Sequence, residues 1–119
     1  MARILLVDDD TASLDLMRHA LQQDGHEITT AESGADALER LKQNLSACDC
    51  LVTDVNMPGL NGIDLMLEAS RLNPALSLVL ISGFVDQLES AKTRLPGKVN
   101  TLAKPFTLEQ IRAAVRSSL

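Results

Sequence analysis

The chain has 119 residues, 45% of them hydrophobic and 23% charged, enough for one globular domain whose core needs no disulfide or metal staple. A formal net charge of −5 at pH 7, with no basic stripe, argues against nucleic acid as a direct partner, because that affinity rests on Lys and Arg at phosphates. The apolar runs fall far short of the roughly 20 residues of a membrane span, and Arg3 with the apolar stretch after it is no signal peptide. No membrane attachment is expected, and the expected location is the cytoplasm.

Strand and helix patterns alternate along the whole chain. Ile4-Leu5-Leu6-Val7 reads as a buried strand that runs straight into Asp8-Asp9-Asp10. Leu14, Met17 and Leu21 then mark one face of a helix. Asp24-Gly25 ends it, glycine being the usual residue just past a C-cap. His26 to Ala31 is a more polar strand, expected near a sheet edge, and Ser33-Gly34 opens a second helix with the stripe Ala37, Leu38, Leu41 and Leu45.

Cys50-Leu51-Val52-Thr53-Asp54 is the central strand. It stops at an acid, followed by Pro58-Gly59 and Asn61-Gly62. Ile63, Met66, Leu67 and Ser70 give the next helix face, stopped at Asn73-Pro74 because the residue before proline avoids the helical region. Leu78-Val79-Leu80-Ile81 is apolar enough to be buried on both faces, and it ends at Ser82-Gly83. A short helix is expected from Asp86 to Leu95, with Leu88, Ala91 and Leu95 inward. Val99 to Leu102 is the last strand, closed by Lys104-Pro105. Thr107-Leu108-Glu109-Gln110 fits a capping box, and Leu108, Ile111, Val115 and Leu119 are expected as the buried face of the last helix.

Such alternation with near-continuous apolar strands implies a parallel sheet covered by helices on both sides, a doubly wound α/β fold. Cys48 and Cys50 have neither redox nor zinc spacing; if both lie on the strand, period two puts them on one face as small buried hydrophobes. His19 reads as a surface residue, and neither it nor His26 has a partner at metal-ligand spacing. Met57 reads as packing, and Asp10 or Thr11 as the cap of the first helix.

Sites of open α/β sheets lie at the carboxyl ends of the strands. Asp8, Asp9 and Asp54 all stand at such ends, so their charges converge on one rim. Two carboxylates about 4 Å apart repel by roughly 4 kcal/mol at an effective dielectric near 20, a cost that a bound cation removes. An all-oxygen donor set suits Mg²⁺ better than a transition metal. Ser82 and Lys104 add a hydroxyl and an amine to the same rim.

With these pieces together, the chain resembles the receiver domains of two-component response regulators over essentially its whole length. The resemblance rests on Val7-Asp8-Asp9-Asp10, on Asp54-Val55-Asn56-Met57-Pro58-Gly59-Leu60-Asn61-Gly62, on Ile81-Ser82-Gly83 and on Lys104-Pro105-Phe106. The second is the most specific. It implies a five-stranded, flavodoxin-like sheet of order 2-1-3-4-5 in a three-layer α/β/α sandwich, with residues 1–119 forming a single receiver domain and no output domain in the chain.

By the same resemblance, Asp54 accepts a phosphoryl group. Asp9 and Asp54 ligate Mg²⁺ directly, Asp8 through water and Asn56 through its backbone carbonyl. Ser82 and Lys104 engage the phosphoryl oxygens, with Gly83 allowing close backbone approach, and the Lys104–Pro105 bond is expected to be cis. The donor it implies is a sensor histidine kinase or a histidine phosphotransfer protein. The activity is self-catalysed transfer and autodephosphorylation of a signalling module rather than steady turnover.

Ser82-Gly83-Phe84 is most similar to receivers that are part of, or work beside, sensor kinases, which leaves open a larger regulator or hybrid kinase around this chain. Thr101 stands where many members carry an aromatic ring, so any aromatic switch must use other groups. Two rival classes are weaker. A phosphohydrolase with an aspartyl nucleophile usually has a second acid two residues on, where this chain has Asn56. An FMN carrier would have its phosphate repelled by Asp8-Asp9-Asp10.

Overall fold

The computed structural model describes residues 2–44, 48–97 and 99–119. Five strands and five helices alternate: β1 Arg3–Val7, α1 Thr11–Gln23, β2 Glu27–Ala31, α2 Gly34–Gln43, β3 Cys50–Asp54, α3 Gly62–Leu72, β4 Ser77–Ser82, α4 Val85–Arg94, β5 Val99–Ala103 and α5 Leu108–Ser118. All strands are parallel in the order β2-β1-β3-β4-β5, so the two most apolar strands flanking the centre are buried and the polar β2 takes an edge.

Period-two alternation divides the core between the two faces of the sheet. Leu5, Val7, Leu51, Leu78 and Leu80 point to α2, α3 and α4. Ile4, Leu6, Val52, Val79 and Ile81 point to α1 and α5. Each fully buried side chain of this kind stabilises the fold by about 1.5–3 kcal/mol, against about 0–1 kcal/mol for an exposed ion pair. Apolar register therefore fixes the architecture, and with it the edge on which the acids emerge.

Several local expectations are revised. Leu108 and Leu119 are 45% and 54% exposed at the two ends of the helix, so α5 buries only Ile111 and Val115. In α3 the buried face is Ile63, Leu65, Met66 and Ala69, while Leu67 and Ser70 are half-buried, because the helix packs against α2 as well as the sheet. The two cysteines do not share a face. Cys48 precedes β3 and packs with the α2–α4 side, whereas Cys50 is buried on the α1/α5 side, where desolvation pushes its thiol up to about 12. Leu45, expected in the α2 stripe, lies outside the described residues.

Caps set most helix ends. Asp10, Ser33, Asn61 and Thr107 each accept a backbone N–H of the first turn, and Thr107 with Gln110 completes the capping box. At the other end of α1, the C-cap Asp24 takes Arg112 Nη2 at 2.5 Å and Arg112 Nε at 3.1 Å, tying α1 to α5.

The Arg112 hydrogen bonds, then its charge and that of Arg116, hold the Asp24 carboxyl below the usual carboxylate range. A depressed folded-state pKa contributes stability that is present above the unfolded value of 3.8 and is lost as pH falls through the folded value. Asp24→Asn is therefore expected to lower the melting temperature at neutral pH, with the deficit closing under acid. An equal deficit at neutral pH and at about pH 2 would contradict this.

Candidate functional site at the carboxyl rim of the sheet

The parallel register delivers four side chains to one rim in strand order. Asp8 directly follows β1, Asp54 ends β3, Ser82 ends β4 and Lys104 directly follows β5. Asp8, Asp54 and Ser82 are buried, while Asp9 is exposed. Asp8, Asp9 and Asp54 each offer one oxygen, and these oxygens lie within 4.8 Å of one another. The set is all oxygen and all anionic, which fits a hard divalent cation such as Mg²⁺.

The opposite side of Asp54 is cationic. Lys104 Nζ donates to Asp54 Oδ2 at 2.5 Å. The two residues sit on strands two positions apart, roughly 9–10 Å at ordinary strand spacing, so only a long side chain bridges them. Asp54 Oδ1 accepts the Asn56 backbone N–H at 3.2 Å, and Asp8 Oδ1 accepts the Asp10 N–H at 3.0 Å. Burial, then the charges of Asp54 and Asp9, raise the Asp8 pKa against the opposing Asp10 N–H and Lys104. For Lys104, desolvation pulls downward, but the hydrogen bond and charge of Asp54, with Asp8 and Asp9 behind it, win and raise its pKa. The ammonium stays charged.

Asp54 is held from below by α3. Gly62 N–H donates to Val55 O at 2.9 Å, and a Cβ at Gly62 would lie 2.2 Å from the Asp54 carbonyl oxygen. No rotamer change relieves a clash with backbone, so glycine is required here. Gly83 differs from expectation: a Cβ there would meet only Lys104 Cβ, at an ordinary 3.8 Å, and no close approach is made. Met57 is buried in the core, and the Lys104–Pro105 bond is cis.

The expected residues Asp8, Asp9, Asp54, Asn56, Ser82 and Lys104 thus share one rim. The Asn56 side chain, which the expected role of its backbone carbonyl leaves free, forms a reciprocal amide pair with Gln87 of α4: Nδ2 donates to Gln87 Oε1 at 2.9 Å, and Gln87 Nε2 donates to Asn56 Oδ1 at 3.0 Å. Ser82 Oγ donates to the same Gln87 Oε1 at 2.6 Å. Sequence reading missed Gln87, whose signal is only a polar residue in the first turn of a thinly apolar helix.

Comparison with known proteins agrees with this geometry. The response regulator receiver domain family matches residues 4–116. The chain belongs to that family. It is 33% identical over 111 residues to the response regulator receiver protein CpdR of Brucella abortus (strain 2308), covering 93% of this chain and 91% of the relative. It is 31% identical over 118 residues to the sensor kinase CckA of the same organism, covering 99% of this chain but only 12% of CckA. Among solved structures, the response regulator TrrA from Thermotoga maritima, in complex with Mg²⁺-BeF, superposes with a TM-score of 0.85 at 26% identity over the whole of both chains. This is a receiver domain of the two-component type, with a flavodoxin-like sheet.

Gly62→Ala is expected to cost about 1–3 kcal/mol of stability by forcing α3 off the end of β3. Gly83→Ala in the same denaturant titration should stay within about 0.5 kcal/mol of wild type. Equal midpoints for the two variants would contradict the assignment of Gly62 as the strut under Asp54.

Proposed function

We propose that the receiver accepts a phosphoryl group on Asp54, and that residues 1–119 work as one such module. The observation that carries this reading is a buried carboxylate at a strand end, with two acids on one side and the Lys104 ammonium 2.5 Å away on the other. An Asp54 carboxylate oxygen forms the new bond to phosphorus. The donor's P–N bond (phosphohistidine) or P–O bond (acetyl phosphate) breaks, and the leaving imidazole or acetate keeps the electron pair.

Phosphoryl transfer passes through a loose transition state, so the protein's task is to position groups and stabilise charge on the equatorial oxygens. Asp9 and Asp54, with Asp8 through water and the Asn56 carbonyl, would hold Mg²⁺, which supplies charge neutralisation between donor and acceptor when bound. The likeness to a receiver solved with Mg²⁺-BeF supports that ligand class. Lys104 moves its ammonium from the carboxylate to a phosphoryl oxygen as charge develops there. Ser82 donates its hydroxyl to another oxygen. The product is a mixed anhydride open to water, so the mark is transient.

The donor we infer is a sensor histidine kinase or histidine phosphotransfer protein. Likeness both to a receiver protein and to a segment of a sensor kinase supports it. No helix among the described residues is long and apolar enough to cross a membrane; the cytoplasmic setting we infer rests on membership of the receiver family. The phosphohydrolase alternative loses ground, since Asn56 supplies no second acid and its side chain is bound to Gln87.

Incubation with acetyl phosphate and Mg²⁺ is expected to add one phosphoryl group by intact mass, and Asp54→Asn to abolish it. Lys104→Ala should slow the transfer by about 100-fold or more, the usual scale for loss of one charge-stabilising donor. An adduct that persists in Asp54→Asn would show that another residue is the acceptor.

A further inference from the structure

A serine hydroxyl carries one proton, and in this structure it is already given away. Ser82 Oγ lies 2.6 Å from Gln87 Oε1 and 3.4 Å from the Phe84 carbonyl, so the proton points at Gln87. One of the oxygen's two acceptor sites takes the Phe84 N–H, at 3.0 Å. Gln87 is itself fixed from a second side by the two hydrogen bonds to Asn56. The Gln87 amide therefore closes a bridge from Asn56, in the loop after β3, to Ser82 at the end of β4.

We propose that Gln87 is a positioning residue that sequesters the Ser82 hydroxyl in the unphosphorylated receiver and thereby sets how readily Asp54 accepts, and how long it keeps, a phosphoryl group. The inference rests on Asp54 as the acceptor. Its logic is exclusive use of one proton: Ser82 donates either to Gln87 Oε1 or to a phosphoryl oxygen. Every adduct that recruits Ser82 must first break the Gln87 contact. Because Gln87 Oε1 also receives the Asn56 amide, it is not left unsatisfied when Ser82 departs, and the exchange stays reversible. The bridge also makes Gln87 and the Phe84 backbone, both at the start of α4, the first groups to register a change of partner at Ser82.

The test is titration with beryllofluoride in excess Mg²⁺, read by backbone amide NMR because the chain has no Trp or Tyr. Gln87 is half-buried on a helix surface, and Met has a similar helix propensity, so Gln87→Met removes the amide while the helix is kept. Gln87→Met is expected to tighten adduct formation by about two- to tenfold, the span of one net hydrogen bond. In a Ser82→Ala background the same substitution should change nothing, a non-additivity that a merely structural role for Gln87 would not produce. Gln87→Glu keeps an acceptor for Ser82 and makes it anionic, a stronger hydrogen-bond partner, and should weaken the adduct.

An adduct of unchanged affinity in Gln87→Met, or an equal gain with and without the Ser82 hydroxyl, overturns the proposal while leaving the acceptor reading intact. Failure of the wild-type receiver to form any adduct overturns both.

Discussion

Repulsion among three carboxylates is the constraint from which the rest of this receiver follows. At 4.8 Å each fully charged pair costs roughly 3–4 kcal/mol at an effective dielectric near 20, less for pairs involving the exposed Asp9. Lys104 offsets one negative charge and leaves two. A divalent cation would balance the remainder, and three carboxylate oxygens lie close enough together to hold one. What makes such an arrangement tolerable is the apolar register of the sheet: Leu, Ile and Val side chains on both faces hold β1 and β3 side by side, so their terminal acids have nowhere else to go.

The rim then divides its labour by side-chain length and burial. Asp8 and Asp54, buried and braced by backbone N–H groups, form the floor. Gly62 brings α3 against the carbonyl of Asp54 and fixes its height. Lys104 has the reach to cover two strand spacings and keeps its charge because the acids outweigh its desolvation. A shorter cation could not cross from β5, and a different register would send the acids to opposite faces.

Much of this was legible in the chain because it depends on local pattern. Strand ends at Val7, Asp54 and Ile81-Ser82 are marked by an abrupt passage from apolar residues to acids or hydroxyls, and alternation alone implied the parallel sheet. Resemblance to receivers supplied the roles of Ser82 and Lys104, which residue type by itself leaves open. What sequence reading missed depends on how elements sit against one another. Leu108 and Leu119 lie in phase with Ile111 and Val115 but at the two ends of α5, where phase alone does not bring cover. Cys48 lies just outside β3, where period two no longer applies. Gln87 pairs with Asn56 across 31 residues, a contact set by how α4 packs beside the loop after β3 and not by any spacing. The need for glycine at position 62, rather than 83, is visible only once α3 is seen pressed against β3.

The central claim is that Asp8, Asp9 and Asp54 form one cation site whose charge is completed by a divalent ion. Its most direct test is a Mg²⁺ titration of the unphosphorylated protein by backbone amide NMR. One saturable binding event is predicted, with shifts centred on the ends of β1, β3, β4 and β5 and on the Asn56–Gln87 bridge, and Asp9→Asn should weaken it strongly. Shifts elsewhere in the fold, or no saturable binding with millimolar Mg²⁺, would contradict the account.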